Sequence, residues 1–197
     1  IKQITEDLIK HFDTRTKTQP GKAMIVCMSR EICVKIYEAL KKLKPELHND
    51  ELSKGQMKVV MTASASDPKE FQPHHTNRLQ KKDLEKRFKD PCDPLKIVIV
   101  RDMWLTGFDA PCLTTMYVDK PMQGANLAQA IARVNRVFGD KPGGLVVDYI
   151  GIAPQLKEAL ATYANSNGRG QPTINTDEAL KILEEKLKVA QDLLHPV

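Results

Sequence analysis

A chain of 197 residues has room for one domain with an appendage, and 41% hydrophobic residues with 5% aromatics suffice for a real core. Thirty basic residues against 25 acidic leave a net charge of +5, which permits a polyanionic partner without demanding one. No stretch approaches the roughly 20 apolar residues of a membrane helix, and Cys27, Cys33, Cys92 and Cys112 form no C-x-x-C pair, so reduced thiols are expected rather than a zinc site.

The chain opens on Ile1 without a signal peptide and reads as a piece of a longer, cytoplasmic protein. Residues 1–17 form a polar helix leading in. Lys22 to Ser29 is a short apolar run after Pro20-Gly21 and predicts a buried strand. Arg30 to Lys44 places Ile32, Ile36, Leu40 and Leu43 at helical spacing and stops before Pro45. Met57 to Thr62 is a second strand, and Ser64 to Thr76, polar with two prolines, a long loop. Asn77 to Asp90 is a charged helix with Leu79, Leu84 and Phe88 inward. Leu95 to Arg101 is the clearest strand, followed by a loop, a strand at Leu113 to Asp119 and a helix at Ala125 to Phe138. A Pro142-Gly143-Gly144 turn leads into the last strand, Leu145 to Ile150. Strands alternating with helices predict an α/β domain over 20–152 with a mostly parallel sheet flanked by helices. Residues 1–19 then form a leading segment and 153–197 a C-terminal helical appendage, in which Ser166 to Pro172 is a linker and Thr176 to Leu194 an amphipathic helix.

Two constellations carry chemistry. Thr106-Gly107-Phe108-Asp109-Ala110-Pro111 follows the strongest strand, and in an open parallel sheet ligands bind beyond the carboxyl ends of the strands. Gly107 admits backbone angles barred to other residues and Pro111 stiffens the exit, which would hold the Asp109 carboxylate at a fixed point. The same loop alone reads equally as a turn in which Asp109 satisfies local amides. In the second, Gln129 at 0° puts Arg133 near ~40° and Arg136 near ~340°, while Leu127, Ile131, Val134 and Phe138 fall between ~140° and ~200°. One face is core and the other presents two guanidinium groups and an amide. Arginine's planar fork suits phosphate oxygens, and a solvated arginine face is the bland alternative.

Taken together, these residues carry a resemblance. Ile97 to Pro111, continuing through Met116-Tyr-Val-Asp-Lys-Pro-Met122, resembles motif V of superfamily 2 helicases, and Leu127 to Arg136 resembles motif VI, Q-x-x-x-R-x-x-R. The wording TGFDAP, DKPM and QAIARVNR is similar to the motor, or R, subunit of type I restriction enzymes, and Lys22 to Arg30 matches the motif IV strand of that family. The resemblance covers about residues 20–152. It implies a RecA-like fold and places this chain as the second of two lobes that hold ATP between them.

On that resemblance Arg133 and Arg136 are arginine fingers with Gln129 beside them, and Gly107 and Asp109 sense nucleotide. Ser29, Arg30, Thr62, Ser64 and Thr106 fall on the side that grips a nucleic-acid backbone. Many superfamily 2 proteins carry Thr where this chain has Arg101, which leaves a DNA contact there open. No G-x-x-x-x-G-K-[ST] loop, Walker B signature or restriction-type nuclease pattern occurs in the chain. ATP and Mg²⁺ would thus be bound mainly by a first lobe of the same polypeptide, with no metal site here and no ATPase from this piece alone. The implied partners are double-stranded DNA, that first lobe, and modification and specificity subunits, with no membrane. Two other readings stand beside it: a lobe of a repair or RNA helicase, and a non-enzymatic nucleic-acid-binding scaffold.

Overall fold

The computed structural model describes residues 1–122, 124–136, 143–152 and 154. Five strands, β1 (Lys22–Cys27), β2 (Met57–Val60), β3 (Ile97–Val100), β4 (Leu113–Asp119) and β5 (Leu145–Asp148), form one sheet in the order β2-β3-β1-β4-β5. All four pairings are parallel, with β1 at the centre matched to β3 from Ala23↔Ile97 and to β4 from Ala23↔Thr115. The expected strands are present: β4 has its expected bounds and the other four are trimmed to their ladders.

Alternation along each strand sorts the core into two layers. Ala23, Ile25, Cys27, Ile97, Ile99 and Tyr117 face helix α1 (Lys2–Thr18) and α2 (Arg30–Leu43). Met24, Val26, Val98, Val100, Met116 and Val118 face helix α3 (Arg78–Lys89) and α4 (Gly124–Val134). α1 buries Thr5, Leu8, Ile9 and Phe12 and is tied to the sheet by a His11–Tyr117 hydrogen bond of 2.8 Å and an Arg15–Thr115 bond of 3.0 Å. Its polar composition had marked it only as a lead-in, yet its apolar stripe is part of the core.

Local chemistry sets the helix starts. Ser29 Oγ accepts from the Ile32 amide at the head of α2. Asn77 and Gln80 exchange side-chain and backbone bonds of 2.9 and 2.8 Å, a capping box that starts α3. The amino ends of the strands are stapled by cations that donate to carbonyls. Lys22 Nζ reaches the Arg87 carbonyl at 2.7 Å, Lys58 Nζ those of Asn49 and Glu51, and Arg87 those of Leu52 and Gly55.

Three expectations need correction or limits. Leu79 is not inward: it is 71% exposed, and only Leu84 and Phe88 seat α3. The Ser64–Thr76 segment holds a 3-10 turn at Lys69–His74, anchored by buried Phe71. The helix expected over Ala125–Phe138 stops at Val134, leaving Asn135 and Arg136 outside it, while its last two residues, the Ser166–Pro172 linker and the Thr176–Leu194 helix lie outside the described residues. Among the described residues no helix is long and apolar enough to cross a membrane.

Candidate functional site

β1 sends its connection to α2 on one face of the sheet, whereas neighbouring β4 sends its connection to α4 on the other. Such a divergence opens a crevice in parallel sheets. The segment after β3, Arg101 to Cys112, is anchored in the core by its apolar side chains. It lies across the sheet between α3 and α4, with Trp104, Leu105, Phe108 and Ala110 buried in the core. It regains the start of β4 where the Cys112 thiol meets the Phe88 carbonyl at 3.2 Å. Asp109 sits on the exposed side of this covering segment.

Aromatic stacking sets the segment's shape. The Trp104 and Phe108 rings lie 4.5 Å apart and 5° from parallel, and both stack on Phe88 of α3. Trp104 has φ 66°, the one non-glycine residue in the left-handed region among the described residues. Backbone strain of that kind persists where surrounding packing over-determines it. Gly107 has φ 67° with nothing near a would-be Cβ, so conformation rather than space calls for glycine there.

Arg133 in the last turn of α4 and Arg136, just past the end of that helix, both meet this segment. Arg133 donates Nε to the Leu105 carbonyl at 2.9 Å. Among the described residues its two terminal nitrogens have no hydrogen-bond partner. Burial lowers the Arg133 pKa, opposed by nearby Asp109. Arg136 forms an ion pair with Asp109, both side chains about half exposed. Gln129 and Thr106 are exposed, Gln129 one helical turn before Arg133. The structure therefore brings Arg133, Arg136 and Asp109 together on one surface. A guanidinium oriented through Nε, with its fork open, is suited to an incoming anion. Among the described residues no group of three or more His, Cys, Asp or Glu side chains could hold a metal.

The remaining candidates form a separate cluster where β1 and β2 end. Ser29 Oγ is occupied as the cap of α2. Arg30 binds both carboxylate oxygens of Asp67 at 2.7 Å and the Thr62 carbonyl at 2.8 Å, and lies over the Phe71 ring. Asp67 also accepts from the Ser64 amide at 2.8 Å and pairs with His75 at 3.1 Å. The hydrogen bond from Arg30, helped by the Ser64 amide, holds the Asp67 carboxyl below its usual range. Thr62 and Ser64 are exposed, with the Ser64 and Ser66 hydroxyls 3.0 Å apart. Arg101 is exposed at the end of β3, where it reaches the Met28 carbonyl and Asp102 while Lys120 pairs with Asp102.

Sequence reasoning missed Asp67, Trp104, Asp102 and the Leu105 carbonyl. Each acts through a partner far along the chain, and only Lys120, inside the DKPM wording, carried any local signal.

A five-stranded, all-parallel sheet flanked by helices on both faces defines a RecA-like fold. The fold is similar to a fragment assigned as the HsdR subunit of a type I restriction enzyme from Vibrio vulnificus (TM-score 0.58, 20% identity, 88% of this chain and 31% of that one). It is also similar to the C-terminal domain of the DEAD-box protein Dbp5 (TM-score 0.50, 17% identity, 93% of this chain and 91% of that one). Residues 67–151 match the family described as type I restriction enzyme subunit R domain 3. The chain is 50% identical over 194 residues to the HindI type I endonuclease subunit of Haemophilus influenzae, covering 97% of this chain and 18% of that one. It is 45% identical over 189 residues to the MjaIXP endonuclease subunit assigned to a type I enzyme of Methanocaldococcus jannaschii, covering 95% and 17%. The chain belongs to the type I restriction enzyme R subunit family, and it spans less than a fifth of the length of these relatives.

Proposed function

We propose that this chain is the second motor lobe of an ATP-dependent double-stranded DNA translocase in a type I restriction–modification enzyme. Arg133 and Arg136 act in it as arginine fingers. The observation that carries this reading is the open guanidinium fork of Arg133, held through Nε on the Leu105 carbonyl three residues before Arg136. ATP would supply the phosphoryl group whose transfer drives the motor, and these two cations fit its phosphate oxygens. Mg²⁺ does not fit this surface, because the nearby carboxylate, Asp109, is paired with Arg136. The metal and the phosphate-cradling loop belong to a first lobe of the longer polypeptide, so the chain alone is inactive as an ATPase.

Closure of the two lobes brings Arg133 and Arg136 to the γ-phosphate, with Gln129 beside them. Gly107 and Asp109 sense the nucleotide: as the phosphate arrives, Arg136 exchanges Asp109 for phosphate oxygens, and hydrolysis restores the original pair. Thr62, Ser64 and Thr106 grip the DNA backbone, with Ser29 and Arg30 holding that surface in shape. Modification and specificity subunits complete the assembly in the cytoplasm.

An arginine finger contributes roughly 10³–10⁵ in rate. In the full-length subunit Arg136→Ala or Arg133→Ala should cut DNA-stimulated phosphate release by about 10³ or more, while nucleotide binding measured by filter retention persists. Near-normal turnover in both variants would remove the finger assignment.

A further inference from the structure

The carboxyl-end loops together with Arg133 and Arg136 leave one strongly charged surface of this lobe without a role. Helix α3, RLQKKDLEKRFK, holds six basic residues against two acidic ones and so accounts for most of the chain's net +5. Two of the six are internally committed. Arg87 binds Asp93 and the carbonyls of Leu52 and Gly55, and Lys89 pairs with Glu85. Arg78, Lys82 and Lys86 are exposed and, among the described residues, have no ion-pair partner; Lys81 flanks them, half-buried.

Their spacing makes them a stripe. Residues four apart lie on one side of a helix and climb about 6 Å per step. Neighbouring phosphates of one strand are separated by a distance on the order of 7 Å, since the strand winds as it rises about 3.4 Å per step along the axis. Arg78, Lys82 and Lys86 thus present three cations at close to the spacing of successive phosphates. Unpaired like charges held this close on one helix repel each other, and a polyanion relieves that repulsion. The stripe also begins beside the known candidates. α3 follows directly on the segment that leaves the carboxyl end of β2 with Thr62 and Ser64, so its Arg78 end lies toward that edge.

We infer that the outer face of α3 is a contact for the sugar–phosphate backbone of duplex DNA, made by Arg78, Lys82 and Lys86. This inference rests on the reading of the protein as a duplex translocase. Binding is independent of base sequence, because phosphates carry the contact. Leu79, 71% exposed on the same helix, is the one apolar group beside the stripe. Were Leu79 the anchor, the partner would be another protein.

The test uses the full-length subunit and a triple variant, Arg78→Gln, Lys82→Gln and Lys86→Gln, with Leu79→Ser as a separate variant. Equilibrium binding to a duplex lacking the recognition sequence is measured across a salt series. Each lost phosphate contact lowers the slope of log K against log salt by about 0.9, so the triple variant should lose about 2 to 3 and weaken at least roughly tenfold near 0.1 M salt. An unaltered thermal midpoint shows that the exposed substitutions leave the fold intact. Wild-type affinity and slope in the triple variant, while the wild type binds duplex with DNA-stimulated ATPase, would overturn the α3 contact and leave the motor reading standing. Loss of subunit assembly with unchanged DNA binding, strongest in Leu79→Ser, would likewise overturn it in favour of a protein partner. A wild-type subunit that binds no duplex at all would remove the motor reading itself.

Discussion

Arg30 shows how far a residue's type can be read without its partner. Its place at the head of a helix after a strand suggested a grip on a nucleic-acid backbone. The structure instead commits its guanidinium to Asp67, 37 positions away, and to the Thr62 carbonyl. On the proposed reading Arg30 is then a positioning residue, whose bonds hold the backbone from which Thr62 and Ser64 project. A lysine cannot reproduce the two-pronged bond. Arg30→Lys should therefore weaken duplex binding several-fold while leaving the salt slope unchanged, unlike the α3 stripe. A slope reduced by about one would instead mark a direct phosphate contact. Arg133 was more legible, because helical periodicity put it on the face opposite Leu127, Ile131 and Val134, whereas Arg136 lies past the end of α4 and the same wheel does not apply to it. What periodicity could not supply was Leu105, whose carbonyl aims Arg133.

At the scale of elements, every predicted strand within the described residues was visible in the sequence, because both faces of a parallel sheet are covered and its strands read as continuous apolar runs. Two features escaped. The segment between β3 and β4 reads as a loop, since nothing local says that Trp104 and Phe108 stack on Phe88 and draw it into the core. The junction of α4 with β5 was equally hidden. A Cβ on Gly144 would meet the Val134 carbonyl oxygen at 2.0 Å, a backbone atom with no rotamer to yield. Gly144→Ala should destabilise the lobe by about 1–3 kcal/mol, read as a lowered thermal midpoint, and should depress DNA-stimulated ATPase by displacing Arg133. The Lys69–His74 turn supplies a pH effect. Burial, then the nearby Lys58, Lys41, His48 and His75, lowers the pKa of His74 to about 4, and its ring meets Tyr37 at 4.6 Å. A folded pKa below the unfolded value of about 6.5 means the neutral ring's contribution is complete above that pH. It is lost progressively as the pH falls toward 4. His74→Phe should melt with a smaller drop between pH 7 and pH 5 than the wild type.

For the molecule as a whole, the fold class followed from alternating periods, whereas the division of labour between lobes rested on motif wording and on a phosphate loop that this sequence lacks. The corresponding prediction is that the chain alone releases no phosphate from ATP, with or without duplex DNA, in a coupled phosphate assay. Turnover above background would mean that this lobe carries nucleotide-binding residues of its own. Trp104 offers a way to watch the same surface at work. It is the chain's single tryptophan, 9% exposed and sandwiched against Phe108 in the stretch that touches both α3 and Arg133. Indole emission from the isolated lobe therefore has one source. A shift in its wavelength or quenching on adding a phosphate analogue or an oligonucleotide would report, without any attached dye, that this stretch had moved.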